Sequence, residues 1–216
     1  MSLGHTCMTI IRSFQNGTYN QIPAEVGIKP FTLEPQPGTK MSARGGSIAI
    51  FGAGSVGSAV AYSLLLRQVV ADIILVDIDQ PLCEAQVQDL SDATFLSNVR
   101  IRVGSVSDAR QADIIIITAG AKQRPGDTRL DLIDRNYKVL KSILSELQPI
   151  RSDAILLIVA NPVDILTHFA QRLSGLPKSQ VLGSGTLLDS IRLKRILASK
   201  LNVSYHHILF FFIMKL

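Results

Sequence analysis

From Ser47 onward the chain alternates short continuous apolar runs with longer segments whose apolar residues recur every three or four positions. Residues 48–51, 73–76 and 154–159 are nearly unbroken apolar runs, and residues 113–118 hold four consecutive isoleucines. Such runs predict strands covered on both faces. Residues 99–103 instead alternate with Arg100 and Arg102, which predicts a strand with one wetter face, and residues 181–183 form the shortest run. Helical spacing covers residues 56–66, 81–95, about 130–147, 162–173 and 187–200. Pro81 suits the first turn of its helix. Strand and helix thus take turns along the chain, which predicts an α/β fold with a doubly wound parallel sheet.

The two ends follow other rules. Before Ser47, Pro23, Pro30, Pro35, Pro37, Gly17, Gly27 and Gly38 punctuate a stretch with no sustained period, so residues 1–44 are expected to form a flexible leader. Its apolar stretch, residues 7–11, is too short for a secretory signal and is followed by Arg12. Few acids leave an organelle-targeting peptide open, although arginines are few as well. Residues 208–214 are an unbroken apolar run with three adjacent phenylalanines, too short to cross a bilayer. They read either as a buried strand or as sequence foreign to the fold. The expected division is therefore a leader over 1–44, one domain over 45–204 and an apolar tail over 205–216.

Composition narrows the function classes. With 47% hydrophobic and 18% charged residues the chain can build a core, which excludes a disordered protein. Two cysteines, Cys7 and Cys83, exclude a disulfide framework and a four-cysteine zinc site, and fit a reducing, cytoplasmic setting. No metal is expected. The net charge of +5 raises the question of an acidic partner. All of that excess lies beyond Asp189, on Arg192, Lys194, Arg195, Lys200 and Lys215. No aromatic platform or second basic groove accompanies it, so neither nucleic acid nor membrane is an expected partner.

The chemistry begins after the first strand, where Gly52-Ala-Gly54-Ser-Val-Gly57 opens a helix. Gly52 permits a tight turn, Gly54 lets the backbone approach a diphosphate, and Gly57 allows close packing of helix on strand. The helix N-terminus adds N–H donors and positive dipole. Asp77 stands twenty residues beyond Gly57, at the end of the second strand, where a carboxylate can take both ribose hydroxyls. An acid there repels a 2′-phosphate, favouring NAD over NADP. A glycine turn with no ligand is the bland alternative.

Three more segments join this loop: Thr118-Ala-Gly-Ala-Lys-Gln-Arg-Pro-Gly-Asp-Thr-Arg129, Val159-Ala-Asn-Pro-Val-Asp-Ile-Leu166 and Gly183-Ser-Gly-Thr-Leu-Leu-Asp-Ser-Ile-Arg192. With them, residues 47–204 resemble the L-lactate/malate dehydrogenase family, and its lactate branch in particular. The resemblance implies a Rossmann NAD-binding domain without the family's carboxyl-terminal substrate domain. It also implies a homo-oligomeric family that moves hydride between NAD and a 2-oxo or 2-hydroxy acid, pyruvate and L-lactate. Cofactor contacts would fall on Gly52, Gly54, Ser55, Val56, Gly57, Asp77, Thr118, Ala119, Gly120 and Asn161.

The same resemblance gives roles to the polar residues. Arg129 would close over the substrate and polarise its ketone, a fixed cation aimed at growing negative charge. Arg192 would grip the substrate carboxylate with its guanidinium fork. Asn161 would lie between nicotinamide and substrate, and Asp189 would support the catalytic histidine. Gln123 occupies the position where malate enzymes carry arginine, so its neutrality points to pyruvate, although Arg124 stands beside it. Solvated arginines and a plain Asn-Pro turn are the competing readings. A malate or other 2-hydroxyacid enzyme, and a non-enzymatic NAD-binding subunit, are the competing functions.

One family element has no counterpart. The proton-donating histidine of the family sits in a Gly-Glu-His-Gly segment that the pattern brings to position 216 or next to it, where this sequence has Leu216. His5, His168, His206 and His207 stand elsewhere. The expectation is a chain that binds NAD yet is impaired in turnover, because a general acid–base group accelerates such steps by about two to four orders of magnitude.

Overall fold

The structure is a computed structural model that describes residues 46–121 and 126–208. Its strands are Ser47–Phe51 (β1), Asp72–Val76 (β2), Arg100–Val103 (β3), Ile114–Ile117 (β4), Ile155–Ile158 (β5) and Val181–Gly183 (β6). They form one sheet in the order β3-β2-β1-β4-β5-β6. Every pairing is parallel. The order runs outward in both directions from β1 and β4, so the chain reverses its winding between them and opens a crevice at their carboxyl ends.

The period-two alternation of the strands builds two cores. Ile48, Ile50, Ile73, Leu75, Ile101 and Ile116 face one side. There they meet Ala61 and Leu65 of helix Ser55–Arg67 (α1) and Cys83 and Leu90 of helix Gln80–Asp92 (α2). Ala49, Phe51, Ile74, Ile115, Ile117, Leu156 and Ile158 face the other side. Helix Val106–Ala109 (α3), helix Arg129–Leu147 (α4) and helix Val163–Leu173 (α5) cover that side. Burying each such leucine or isoleucine contributes about 1.5–3 kcal/mol. The unbroken apolar runs are therefore a direct consequence of helices on both faces.

At the amino edge of the sheet, Asp113 accepts the Ser47 N–H at 2.7 Å and the Ser47 hydroxyl at 2.9 Å. Arg151 donates to the same carboxylate at 2.8 Å and also pairs Asp153. This clamp joins the starts of β1, β4 and β5. Burial would raise the Asp113 carboxyl, but the Ser47 N–H and the Arg151 guanidinium outweigh it and hold it below the usual value. The wetter strand β3 behaves as its alternation predicts, with Arg100 and Arg102 both pairing Asp72.

Two local features differ from the sequence expectation. The helix expected over 81–95 ends at Asp92 and continues as a tighter turn, Ala93–Leu96, and it starts earlier because Asp79 accepts the Leu82 N–H as its cap. Helix α3 was not expected; Ser105 and Asp108 form a reciprocal capping box around its single turn. The last helix, Leu187–Leu201 (α6), ends at Asn202 in a left-handed conformation, φ 50°. Residues 205–208 of the expected tail form a turn over Tyr205–His207 with Ile208 buried. The leader and residues 209–216 lie outside the described residues. Among the described residues no helix is long and apolar enough to cross a membrane.

Candidate functional site

The glycine loop leaves β1 at the centre of the sheet. Gly52 has φ +106°, a conformation open to glycine, and its N–H donates to the Val76 carbonyl at 2.8 Å. A Cβ on Gly57 would stand 1.8 Å from the Gly52 carbonyl oxygen, so α1 packs on the loop at a distance only glycine allows. A Cβ on Gly54 would meet nothing within 4 Å. Gly54, Ser55 and Val56 are exposed, and the N–H groups of a first helical turn have no acceptor within the helix. The loop is thus closed on its protein side and open outward, a cradle that fits a diphosphate.

Asp77 follows β2. Its Oδ2 accepts the Ala53 N–H at 2.6 Å and its Oδ1 accepts the Asp79 N–H at 2.9 Å. The carboxylate therefore ties the glycine loop to the β2 end. Beneath it lies Cys83, fully buried, with its thiol directed at the Leu75 carbonyl at 3.5 Å. Burial, followed by the negative charge of Asp77, pushes this thiol above its usual value.

Thr118 follows β4 and brings its hydroxyl to the carbonyls of Phe51 (2.9 Å) and Gly52 (3.1 Å), while the Ala119 N–H reaches Phe51. These residues brace the loop from its other side. Gln123 lies outside the described residues. Arg129 is the first residue of α4, fixed by a capping box in which Thr128 accepts the Asp131 N–H and Asp131 accepts the Thr128 N–H. Hydrogen bonds from the Thr128 hydroxyl and N–H hold the Asp131 carboxyl below its ordinary value.

Asn161 follows β5, and its carbonyl accepts Nδ2–H of Asn136, a buried residue of α4, at 2.6 Å. Asp189 and Arg192 lie on α6, which follows β6; both are exposed and pair loosely at 3.5 Å. Helix α6 buries only Ala198 and packs chiefly on the turn that follows it, where Lys194 stacks on Tyr205 at 4.3 Å. Leu187, Leu188, Ile191 and Ile196 remain exposed there. Because every strand runs the same way, all the described candidate residues stand at or beyond one edge of the sheet, its carboxyl edge. Among the described residues no group of three His, Cys, Asp or Glu side chains could hold a metal ion.

A family model described as lactate/malate dehydrogenase, NAD binding domain, matches residues 47–183. The chain belongs to the lactate/malate dehydrogenase family. NAD is the cofactor of that domain. L-lactate dehydrogenase A of Rhizopus oryzae is 56% identical over 147 residues, covering 68% of this chain and 46% of the relative. L-lactate dehydrogenase of Gloeobacter violaceus is 45% identical, covering 72% and 47%. The ligand-bound crystal structure of the minor L-lactate dehydrogenase of Enterococcus mundtii superposes with a TM-score of 0.71 at 36% identity, covering 74% of this chain and 52% of that one. The chain spans about half the length of the curated relatives it matches.

Two supports of these dehydrogenase-family segments are absent from the sequence expectations. Asn136 was overlooked, although an asparagine in the same helical stripe as Leu140, Leu144 and Leu147 is a visible irregularity. The Thr128–Asp131 capping box that fixes Arg129 was legible as Thr-x-x-Asp before an apolar helix.

Proposed function

We propose that this chain binds NAD at the carboxyl edge of its sheet and that its family chemistry is hydride exchange between NAD(H) and a 2-oxo or 2-hydroxy acid, with pyruvate and L-lactate as the pair. The observation that carries the cofactor reading is the outward-open glycine cradle tied to Asp77. The nicotinamide, when bound, supplies the hydride. The protein's own residues bind and orient. Backbone N–H groups from Ser55 to Gly57 hold the diphosphate, and the Asp77 carboxylate takes ribose hydroxyls and rejects a 2′-phosphate.

Arg129, rigidly capped at the head of α4, provides the cation for the ketone oxygen. Arg192 takes the substrate carboxylate, for which it must leave its 3.5 Å contact with Asp189; that exposed pairing costs at most about 1 kcal/mol to break. Asn161 contributes its side chain between the two reactants. Gln123 carries no charge to pair a second carboxylate, which favours pyruvate over oxaloacetate. The sequence contains no Gly-Glu-His-Gly segment, so the 216-residue polypeptide by itself binds cofactor without reducing pyruvate at a family-like rate.

The test uses the purified polypeptide. NADH titrated by its fluorescence is expected to saturate, while NADH mixed with pyruvate is expected to keep its absorbance at 340 nm. Rapid loss of that absorbance would overturn the statement about turnover, and absence of saturable NADH binding would overturn the cofactor reading.

A further inference from the structure

We infer that Asn136 is a positioning residue that fixes, through one buried carboxamide, the two backbone segments that bracket the nicotinamide half of the site. The inference rests on the NAD-binding reading above. Three polar residues are buried among the described ones: Asn136, Thr167 and Ser174. Thr167 bonds back to Val163 within its own helix, and the Ser174 hydroxyl caps its own turn at Leu176. Only Asn136 reaches distant backbone. Its Oδ1 accepts the Ala121 N–H at 2.6 Å and its Nδ2 donates to the Asn161 carbonyl at 2.6 Å.

Packing alone would favour a leucine here, because Asn136 lies in the stripe that buries Leu140, Leu144 and Leu147. A leucine would leave the Ala121 N–H and the Asn161 carbonyl without these partners, and each such loss is costly inside a protein. A single planar group carrying both a donor and an acceptor satisfies the pair; a carboxylate satisfies one and opposes the other. Gly120 eases the approach. A Cβ there would stand 3.2 Å from Asn136 Oδ1 and 3.4 Å from Cγ and Nδ2.

Asn136 sits two helical turns beyond Arg129 on the same rigid helix. The chain leaving β4, the turn leaving β5 and the head of α4 are therefore held in one register. The glycine loop and Asp77 belong to β1 and β2, and they make no hydrogen bond to this carboxamide. The direct contacts of the carboxamide thus lie on the β4 and β5 side of the site.

The experiment compares two ligands on the full 216-residue chain, NADH and ADP, by titration of the parent, Asn136→Asp and Asn136→Ala, with thermal melts of each. Asn136→Asp is isosteric and keeps the acceptor for Ala121 while placing an oxygen against the Asn161 carbonyl. NADH affinity is expected to fall about tenfold or more in both variants. ADP affinity is expected to stay within about twofold of the parent. Equal losses for the two ligands, unchanged NADH affinity in Asn136→Asp, or failure of Asn136→Asp to fold would each overturn the inference. If Asn136→Ala alone fails to fold, Asn136→Asp decides. A parent that binds neither ligand would instead refute the NAD reading on which the inference rests.

Discussion

Replacing Gly54 and Gly57 by alanine, one at a time, should separate binding from folding within a single six-residue loop. At Gly57 the new Cβ would lie 1.8 Å from the Gly52 carbonyl oxygen and 2.9 Å from the Gly52 carbonyl carbon and from Thr118 Oγ1. Two of these neighbours are backbone, so no side-chain rotation relieves the overlap. Helix α1 must retreat from β1 by more than 1 Å, roughly, to restore ordinary contact, and overpacking of this kind costs about 1–3 kcal/mol or more. For a chain of this size the melting temperature should fall by roughly 2–12 °C. The retreat also carries the first-turn N–H groups away, so NADH affinity should drop with it.

At Gly54 the backbone is extended, φ −70° and ψ −174°, and the Cβ meets no atom within 4 Å. Reduced freedom of the unfolded chain favours alanine by about 0.4–1 kcal/mol, while alanine is the poorer N-cap by a similar amount. The melt should therefore move by no more than about 2 °C, whereas the methyl stands where the diphosphate must come and NADH affinity should fall at least about tenfold. The assay is paired: a thermal melt and an NADH fluorescence titration on each variant. Equal melting shifts for the two variants, or a Gly57→Ala protein that melts and binds like the parent, would refute the reasoning.

Other outcomes follow from named contacts. Asp77→Asn keeps the size of the side chain but removes the charge that rejects a 2′-phosphate, so the ratio of NADPH to NADH affinity should rise; an unchanged ratio in parallel titrations would remove Asp77 from the ribose site. The carboxyls of Asp113, Asp108 and Asp131 are all held below their ordinary values by hydrogen bonds or cations. Depressed carboxyls stabilise the fold above the unfolded value of about 4, and that contribution is lost as pH falls through the lower folded values. Melting temperature should thus decline below about pH 4, less steeply in Asp113→Asn, whose stability is already reduced at neutral pH. Cys83 is fully buried with a raised thiol, so in a Cys7→Ser background a thiol reagent should fail to react at neutral pH until denaturant opens the fold. Prompt labelling of the native protein would show that this packing is wrong.

Much of the fold was legible because parallel strands buried on both sides leave so plain a trace. The four isoleucines of β4 divide between two cores, and the Arg100 and Arg102 alternation marks the one strand edge that pairs with Asp72. The glycine loop was legible for the same reason, since each glycine answers a separate steric demand. Long-range side-chain bonds were not legible. Asn136 acts on residues 15 and 25 positions away, and nothing in its neighbours' spacing announces which backbone groups will arrive there. Asp77 was assigned to the ribose, and the structure adds its bond to Ala53, which only the folded loop creates. Helix α3 escaped notice because a single turn leaves no periodicity to read; its Ser-x-x-Asp box was the only signal.

The proposed NAD site is built around Gly52–Gly57 and Asp77. Isothermal titration of the folded chain with NADH, repeated in the presence of saturating ADP-ribose, tests it most directly. One saturable site per chain, abolished by ADP-ribose, is the expected result. A cooperatively melting, folded chain with no saturable NADH binding would contradict it.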